Sequence, residues 1–213
     1  MRLGILGGSF DPVHFGHLLL AETCREQCRL DEVRFLPAST APHKRQQLAA
    51  PAKHRLTMLE LALAGHPAMV VSALEIDRGG VSYTVDTLHE IRRREPDAEL
   101  FLLMGADSLL DLPTWYQAEE ICQLAVPVVA RRPGTAPPDL SVLSDLVSPD
   151  RLALIREFQV ESPLIDLGST DIRQQVAAGR SIRYRVPRAV EKYIETNELY
   201  REVEMTRSRE EPG

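Results

Sequence analysis

Six short apolar runs recur along the chain, separated by segments of helical period, and this alternation restricts the fold more than any other feature of the sequence. The strand candidates are Arg2–Leu6, Val33–Leu36, Met69–Ala73, Glu99–Met104, Val126–Ala130 and Pro163–Leu167. Several are almost continuously apolar, the pattern of a strand covered on both faces of a parallel sheet. Between them lie helical periods. Pro51–Ala64 repeats Leu56, Leu59 and Leu63 on one face and stops at Gly65, while Thr84–Arg94 places Val85, Leu88 and Ile91 on one stripe, with Ser82 or Thr84 as its cap. Further helices are predicted from Gly16 to about Arg29, Gln117 to about Leu124, Asp171 to Ala178 and Pro187 to Thr196. Such alternation predicts an α/β fold: a doubly wound, mainly parallel sheet with right-handed crossovers. Its ligand crevice then lies at the carboxyl ends of the strands.

With 213 residues, the chain is expected to form one domain over 1–200, including a small C-terminal helical part over about 169–200. The polar tail 201–213 is expected to fray. Residues 131–150, rich in Pro and Gly, suggest a loop around a short helix, Leu140–Val147, and 151–160 carry no clear pattern. At 44 % hydrophobic and 26 % charged residues, the chain has the means to bury a core without staples. A net charge of −6 argues against a general nucleic-acid binder. No run approaches the roughly 18 apolar residues of a membrane-spanning helix. The start, with Gly4, Gly7, Gly8 and Asp11, does not resemble a secretory signal, and three cysteines form no scaffold, so a cytoplasmic location is expected. Cys24 and Cys28 align with Leu20 and Ala21, which suits packing in an apolar stripe better than a redox or metal pair.

The chemistry is written in two places. The first strand runs into Gly7-Gly8-Ser9-Phe10-Asp11-Pro12-Val13-His14-Phe15-Gly16-His17. Glycines after a strand let backbone N–H groups approach a phosphate, and the following helix N-terminus favours negative charge. Neither a P-loop nor the G-x-G-x-x-G fingerprint is present. Instead His14 and His17 sit one helical turn apart around Gly16, where two imidazoles can face one way and donate to phosphoryl oxygens. Far downstream, Gly168-Ser169-Thr170-Asp171-Ile172-Arg173 follows the last strand candidate and opens a helix. Ser169 or Thr170 would serve as an ordinary N-cap. Arg173 has no such plain explanation, because a guanidinium near a helix N-terminus is unfavourable unless an anion sits there.

Single residues elsewhere leave their alternatives open. Lys44, beside His43 in a Pro-stiffened loop, is either a phosphate clamp or a solvated lysine. Trp115, the only tryptophan, is either a stacking surface or core. Asp107, after Gly105-Ala106 at a strand end, either accepts from ribose hydroxyls or caps a helix. Arg180, Arg183, Arg185 and Arg188, and likewise Arg131 and Arg132, suit a solvated face, with one member free to approach a polyphosphate.

Together the two constellations resemble the H-x-G-H and (I/L)-S-S-T-x-(I/L)-R motifs of the nucleotidyltransferase superfamily. Further segments narrow the resemblance to bacterial nicotinate-mononucleotide adenylyltransferases. These are Gly7-Gly8-Ser9-Phe10-Asp11-Pro12, Ala41-Pro42-His43-Lys44, Ser82-Tyr83-Thr84 with Thr87-Leu88, Gly105-Ala106-Asp107, Trp115-Tyr116, and Val186-Pro187 through Leu199-Tyr200. Two departures stand out: Gly168 where that family has Ser, and Ala41 where it has Pro. The resemblance implies a Rossmann-like nucleotidyltransferase fold and transfer of AMP from ATP, with Mg2+, to nicotinate mononucleotide. It implies catalytic roles for His14, His17 and Arg173, and ATP contacts from Gly8, Ser9, Phe10, Gly16, Gly105, Asp107, Ser169, Thr170 and Arg173. It places the mononucleotide on Ser9, Lys44, Thr84, Trp115 and Tyr116, with Trp115 stacked on the ring. No protein metal ligands, nucleic acid or membrane are expected, and a homo-oligomer is compatible. The alternatives are an adenylyltransferase for nicotinamide mononucleotide or pantetheine phosphate, and a non-catalytic pyridine-nucleotide sensor.

Overall fold

The computed structural model describes residues 1–40, 50–131, 134, 136–163 and 165–201. Its centre is a six-stranded sheet formed by β1 (Arg2–Gly8), β2 (Glu32–Pro37), β3 (Met69–Val71), β4 (Glu99–Gly105), β5 (Val126–Arg131) and β6 (Val160–Glu161). The order is β3-β2-β1-β4-β5-β6, and every pairing is parallel. Leu100 to Met104 are all buried, as are Val126 to Val129, because helices cover both faces of the sheet. The doubly wound expectation therefore holds, and the order reverses between β1 and β4.

Around the sheet lie α1 (Phe15–Gln27), α2 (Ala52–Leu63), α3 (Leu74–Arg78), α4 (Thr84–Arg94), α5 (Ala106–Asp111), α6 (Ala118–Leu124), α7 (Pro149–Glu157), α8 (Ser169–Ala177) and α9 (Arg188–Thr196). Helix α1 packs on β1 and β4 through buried Ala21 and Cys24, and α9 packs on α2. Cys24, Cys28 and Cys122 are free and buried. Burial pushes the Cys28 and Cys122 thiols up to about 11, so they serve as packing groups, as the stripe suggested.

The last strand differs from expectation. Val160 and Glu161 pair with Ala130 and Arg131, and Ser162 N donates to Arg131 O at 2.9 Å. Beyond Ser162 no further pairing with β5 is formed among the described residues, so the strand lies before Pro163–Leu167 rather than within it. The unassigned stretch 151–160 falls mostly in α7, whose Ser148 hydroxyl caps Arg151 N at 3.2 Å ahead of Pro149. The short helix near 140 is one 3₁₀ turn, Leu140–Leu143. The expected hydroxyl caps are also absent. Tyr83 and Gly168 occupy the N-cap positions of α4 and α8, without side-chain caps, and Gly105 does so for α5, ahead of Asp107.

Candidate active site

The carboxyl ends of β1 and β4 lie side by side where the strand order reverses, which is where an open α/β sheet leaves its crevice. From the end of β1 the chain enters Ser9–His14 and then α1. Phe10, fully buried at φ 47°, packs against the Gly8 backbone, where an added Cβ would come within 3.1 Å of its ring. The edge of Phe10 meets the His17 imidazole at 5.0 Å between centroids.

His14 is the N-cap residue of α1, and its ring stacks on that of His17 with centroids 3.7 Å apart. The N–H of His14 donates to His17 Nδ1 at 3.3 Å. A neutral His17 therefore carries its proton on Nε2, as a hydrogen-bond donor. Burial holds His14 far below the usual imidazole range, at about 4, so it is neutral near pH 7. Its Nδ1 is buried without a hydrogen-bond partner. Gly16 makes this packing possible, since a Cβ there would lie 3.0 Å from both Nδ1 and Cε1 of His14.

Helix α8 meets this loop. The Arg173 guanidinium donates to Asp11 O at 2.7 Å and to Thr170 Oγ1 at 3.2 Å, while the Ser169 hydroxyl donates to Pro12 O at 2.9 Å. The two sequence constellations, some 160 residues apart, thus share one location. Arg173 has five N–H donors, of which these bonds use only part, so it retains capacity for an anion. Arg185 contributes its main chain, its carbonyl accepting from Phe15 N at 3.1 Å. Arg183 and Arg188 pair with buried Glu191, and Arg131 pairs with Glu161, while Arg132 lies outside the described residues.

Across the crevice, Gly105 ends β4 and Asp107 is exposed at the start of α5. Thr84 opens α4 and is half-buried. Trp115 is half-buried against the core, so packing accounts for part of it and leaves part open. Tyr116 is 57 % exposed, and its ring lies 4.9 Å from that of Tyr83. That contact joins the Trp115-Tyr116 segment to the start of α4. Lys44 lies outside the described residues.

Three supporting residues had no task in the sequence reading: Arg55, which it passed over, and Asp11 and Tyr200, which it quoted only within longer segments. Asp11 and Arg55 are each only 1 % exposed. Tyr200 OH donates to Asp11 Oδ1 at 2.6 Å, and Arg55 Nη1 donates to Ser9 O at 2.9 Å. Burial of the phenol, next to the Asp11 charge, pushes the Tyr200 pKa far up and keeps it a donor. These bonds brace the loop from behind, and no local pattern announces contacts of such sequence separation.

Comparison with known proteins places this site in a wider context. The cytidylyltransferase-like family model matches residues 5–175. A probable nicotinate-nucleotide adenylyltransferase of Thermomicrobium roseum is 49 % identical over 203 residues, covering 95 % of this chain and 93 % of that one. Its counterpart in Rhodopirellula baltica is 43 % identical, covering 93 % of each chain. Among solved structures, Plasmodium falciparum nicotinic acid mononucleotide adenylyltransferase complexed with NaAD superposes with a TM-score of 0.73 at 17 % identity, covering 93 % of this chain and 97 % of that one. That likeness shows a shared fold.

Proposed function

The chain belongs to the cytidylyltransferase-like family, and on that premise we infer that it is a nicotinate-nucleotide adenylyltransferase of NAD biosynthesis. A phosphate oxygen of nicotinate mononucleotide attacks the α-phosphorus of ATP. The bond from that phosphorus to the oxygen bridging it to the β-phosphorus breaks, and pyrophosphate leaves with the electron pair, giving the deamido dinucleotide. Because the nucleophile is already an anion, the protein need supply only alignment and charge stabilisation.

The observation that carries this reading is the meeting of Arg173 with the loop before His14 and His17, at the carboxyl end of β1. His14 and His17 would donate to α- and β-phosphate oxygens, and Arg173, Ser169 and Thr170 would hold the β/γ end that leaves. Neutral His14 acts there as a fixed N–H dipole rather than as a cation. Ser9, Gly8, Phe10 and Gly16 shape the phosphate loop, and Gly105 with Asp107 would receive the ribose side. Thr84, Trp115 and Tyr116, with Lys44, would take the mononucleotide, its ring on Trp115. Among the described residues no cluster of three or more His, Cys, Asp or Glu is arranged for a metal ion. Magnesium would enter with ATP, held mostly by phosphate oxygens and water, the mode this small and strongly hydrated cation favours. No helix among the described residues is long and apolar enough to cross a membrane.

The test is pyrophosphate release from ATP and magnesium with nicotinate mononucleotide, nicotinamide mononucleotide or pantetheine phosphate offered separately. Turnover is expected to favour the nicotinate acid clearly. Equal or reversed rates remove the nicotinate assignment, and no release with any acceptor would favour a sensor that binds without catalysis.

A further inference from the structure

Behind the first turn of α4 lies a buried carboxyl to which the proposed reaction assigns no task. Glu75, on α3, is 6 % exposed. Thr87 Oγ1 donates to Glu75 Oε1 at 2.8 Å, and the Ser82 side chain interacts with the same carboxyl and favours its charged form. Each hydroxyl is itself fed by a second donor. Ser39 N donates to Ser82 Oγ at 2.9 Å, and Arg78 Nη2 donates to Thr87 Oγ1 at 3.1 Å. Ser82 N in turn donates to Thr40 O at 2.9 Å.

The direction of every link follows from proton counting. A hydroxyl has one proton, and each hydroxyl here already accepts an N–H, which leaves that proton to turn to the carboxyl. For Thr87 the 2.8 Å bond to Glu75 is much shorter than the alternative to Tyr83 O at 3.4 Å. The relay thereby ties the chain just after β2 to Ser82 and to the first turn of α4. It grips the Tyr83-Thr84 turn on either flank, at Ser82 and at Thr87. Thr84 is on the proposed mononucleotide surface, and Tyr83 packs on Tyr116 of that same surface. None of the links reaches α1 or α8, which carry the proposed triphosphate contacts.

We propose that Glu75 is a positioning residue for the acceptor substrate: through Ser82 and Thr87 it sets the Tyr83-Thr84 turn that receives the mononucleotide. This rests on the functional assignment above, and it predicts an effect confined to one substrate. The experiment compares steady-state kinetics of the wild type with Glu75→Gln and Thr87→Val, each with its melting temperature. A Gln side chain presents one oxygen and an amide donor, so one hydroxyl loses its acceptor. The loss of such a charge-assisted bond corresponds to roughly a tenfold change. KM for nicotinate mononucleotide should rise about tenfold in Glu75→Gln, while KM for ATP and saturating kcat stay within about twofold. Thr87→Val, which keeps volume and removes one donor, should shift the same KM in the same direction, and it carries the test should Glu75→Gln not fold. Equal rises in both KM values would make Glu75 merely structural and overturn the proposal, as would an unchanged mononucleotide KM in a folded variant. A wild type inactive with nicotinate mononucleotide would overturn the functional assignment and this inference together. An active wild type with an insensitive variant overturns the inference alone.

Discussion

His14 and Gly16 constrain each other at the scale of single atoms. The imidazole of His14 stacks on the His17 ring, and a methyl group at residue 16 would press on two of its ring atoms at 3.0 Å. The affected atoms belong to a ring held by stacking, so the ring itself must turn or shift by a few tenths of an ångström. A preorganised donor tolerates such displacement poorly. Gly16→Ala should therefore lower kcat by at least about tenfold. Its effect on stability should be small, because replacing a helical glycine by alanine contributes about 0.5–1 kcal/mol in favour of the fold and offsets the crowding. Paired measurements of kcat and melting temperature separate the two effects. Unaltered kcat in the folded variant would mean that the position of the His14 ring is irrelevant to turnover.

At the scale of elements, the loop after β1 is held by segments distant in sequence: α8 through Ser169 and Arg173, α2 through Arg55, and the chain beyond α9 through Tyr200. Tyr200→Phe removes one bond to a buried carboxylate and little else. Hydrogen bonds to charged groups contribute about 1.5–3 kcal/mol, and for a chain of this size each kcal/mol moves Tm by roughly 2–4 °C. A fall in Tm of about 5 °C is expected by calorimetry. An unchanged Tm would show that solvent replaces the phenol and that the C-terminal segment does not brace the loop. The same contacts explain what the sequence disclosed and what it withheld. The central strands and α4 were legible because burial on both faces or on one stripe writes itself into local periodicity. Arg173 drew notice because a guanidinium is costly at a helix start without an anion, and His14 with His17 because two imidazoles flank Gly16 just after a strand. That the two places meet is what the structure adds. The two-residue β6 was not legible, since it is too short to show a period and the apolar Ile165 and Leu167 that follow it imitate a strand that does not form. Arg55 was hidden inside a helix read by its leucines: Leu56 is only half-buried, while Arg55 and Met58 face inward. The bond between Asp11 and Tyr200 was hidden by a sequence separation of 189.

For the whole molecule, the stability of the ligand-free fold should depend on pH in a way set mainly by one buried imidazole. His14 titrates at 6.5 in an ordinary setting and at about 4 in the fold, because burial disfavours its charged form. Between those values the unfolded chain binds a proton that the native state refuses, so unfolding becomes easier as pH falls from about 6.5 towards 4. Over the full interval this corresponds to up to about 3 kcal/mol. Glu75 has the opposite sign. Burial raises its pKa above 4.5, so the native state takes up that proton before the unfolded chain does and recovers part of the loss. Surface carboxyls such as Glu90, held at about 2 chiefly by its hydrogen bond to Arg93, matter only below 4.5. The His14 contribution is therefore lost progressively as pH falls from 6.5 towards about 4. Tm should fall steadily across that interval in the wild type, whereas His14→Gln, which cannot take the proton, should show a flatter slope whatever its absolute Tm. Parallel slopes in the two proteins would mean that His14 is protonated in the native state, and the neutral-donor role assigned to it would have to be abandoned.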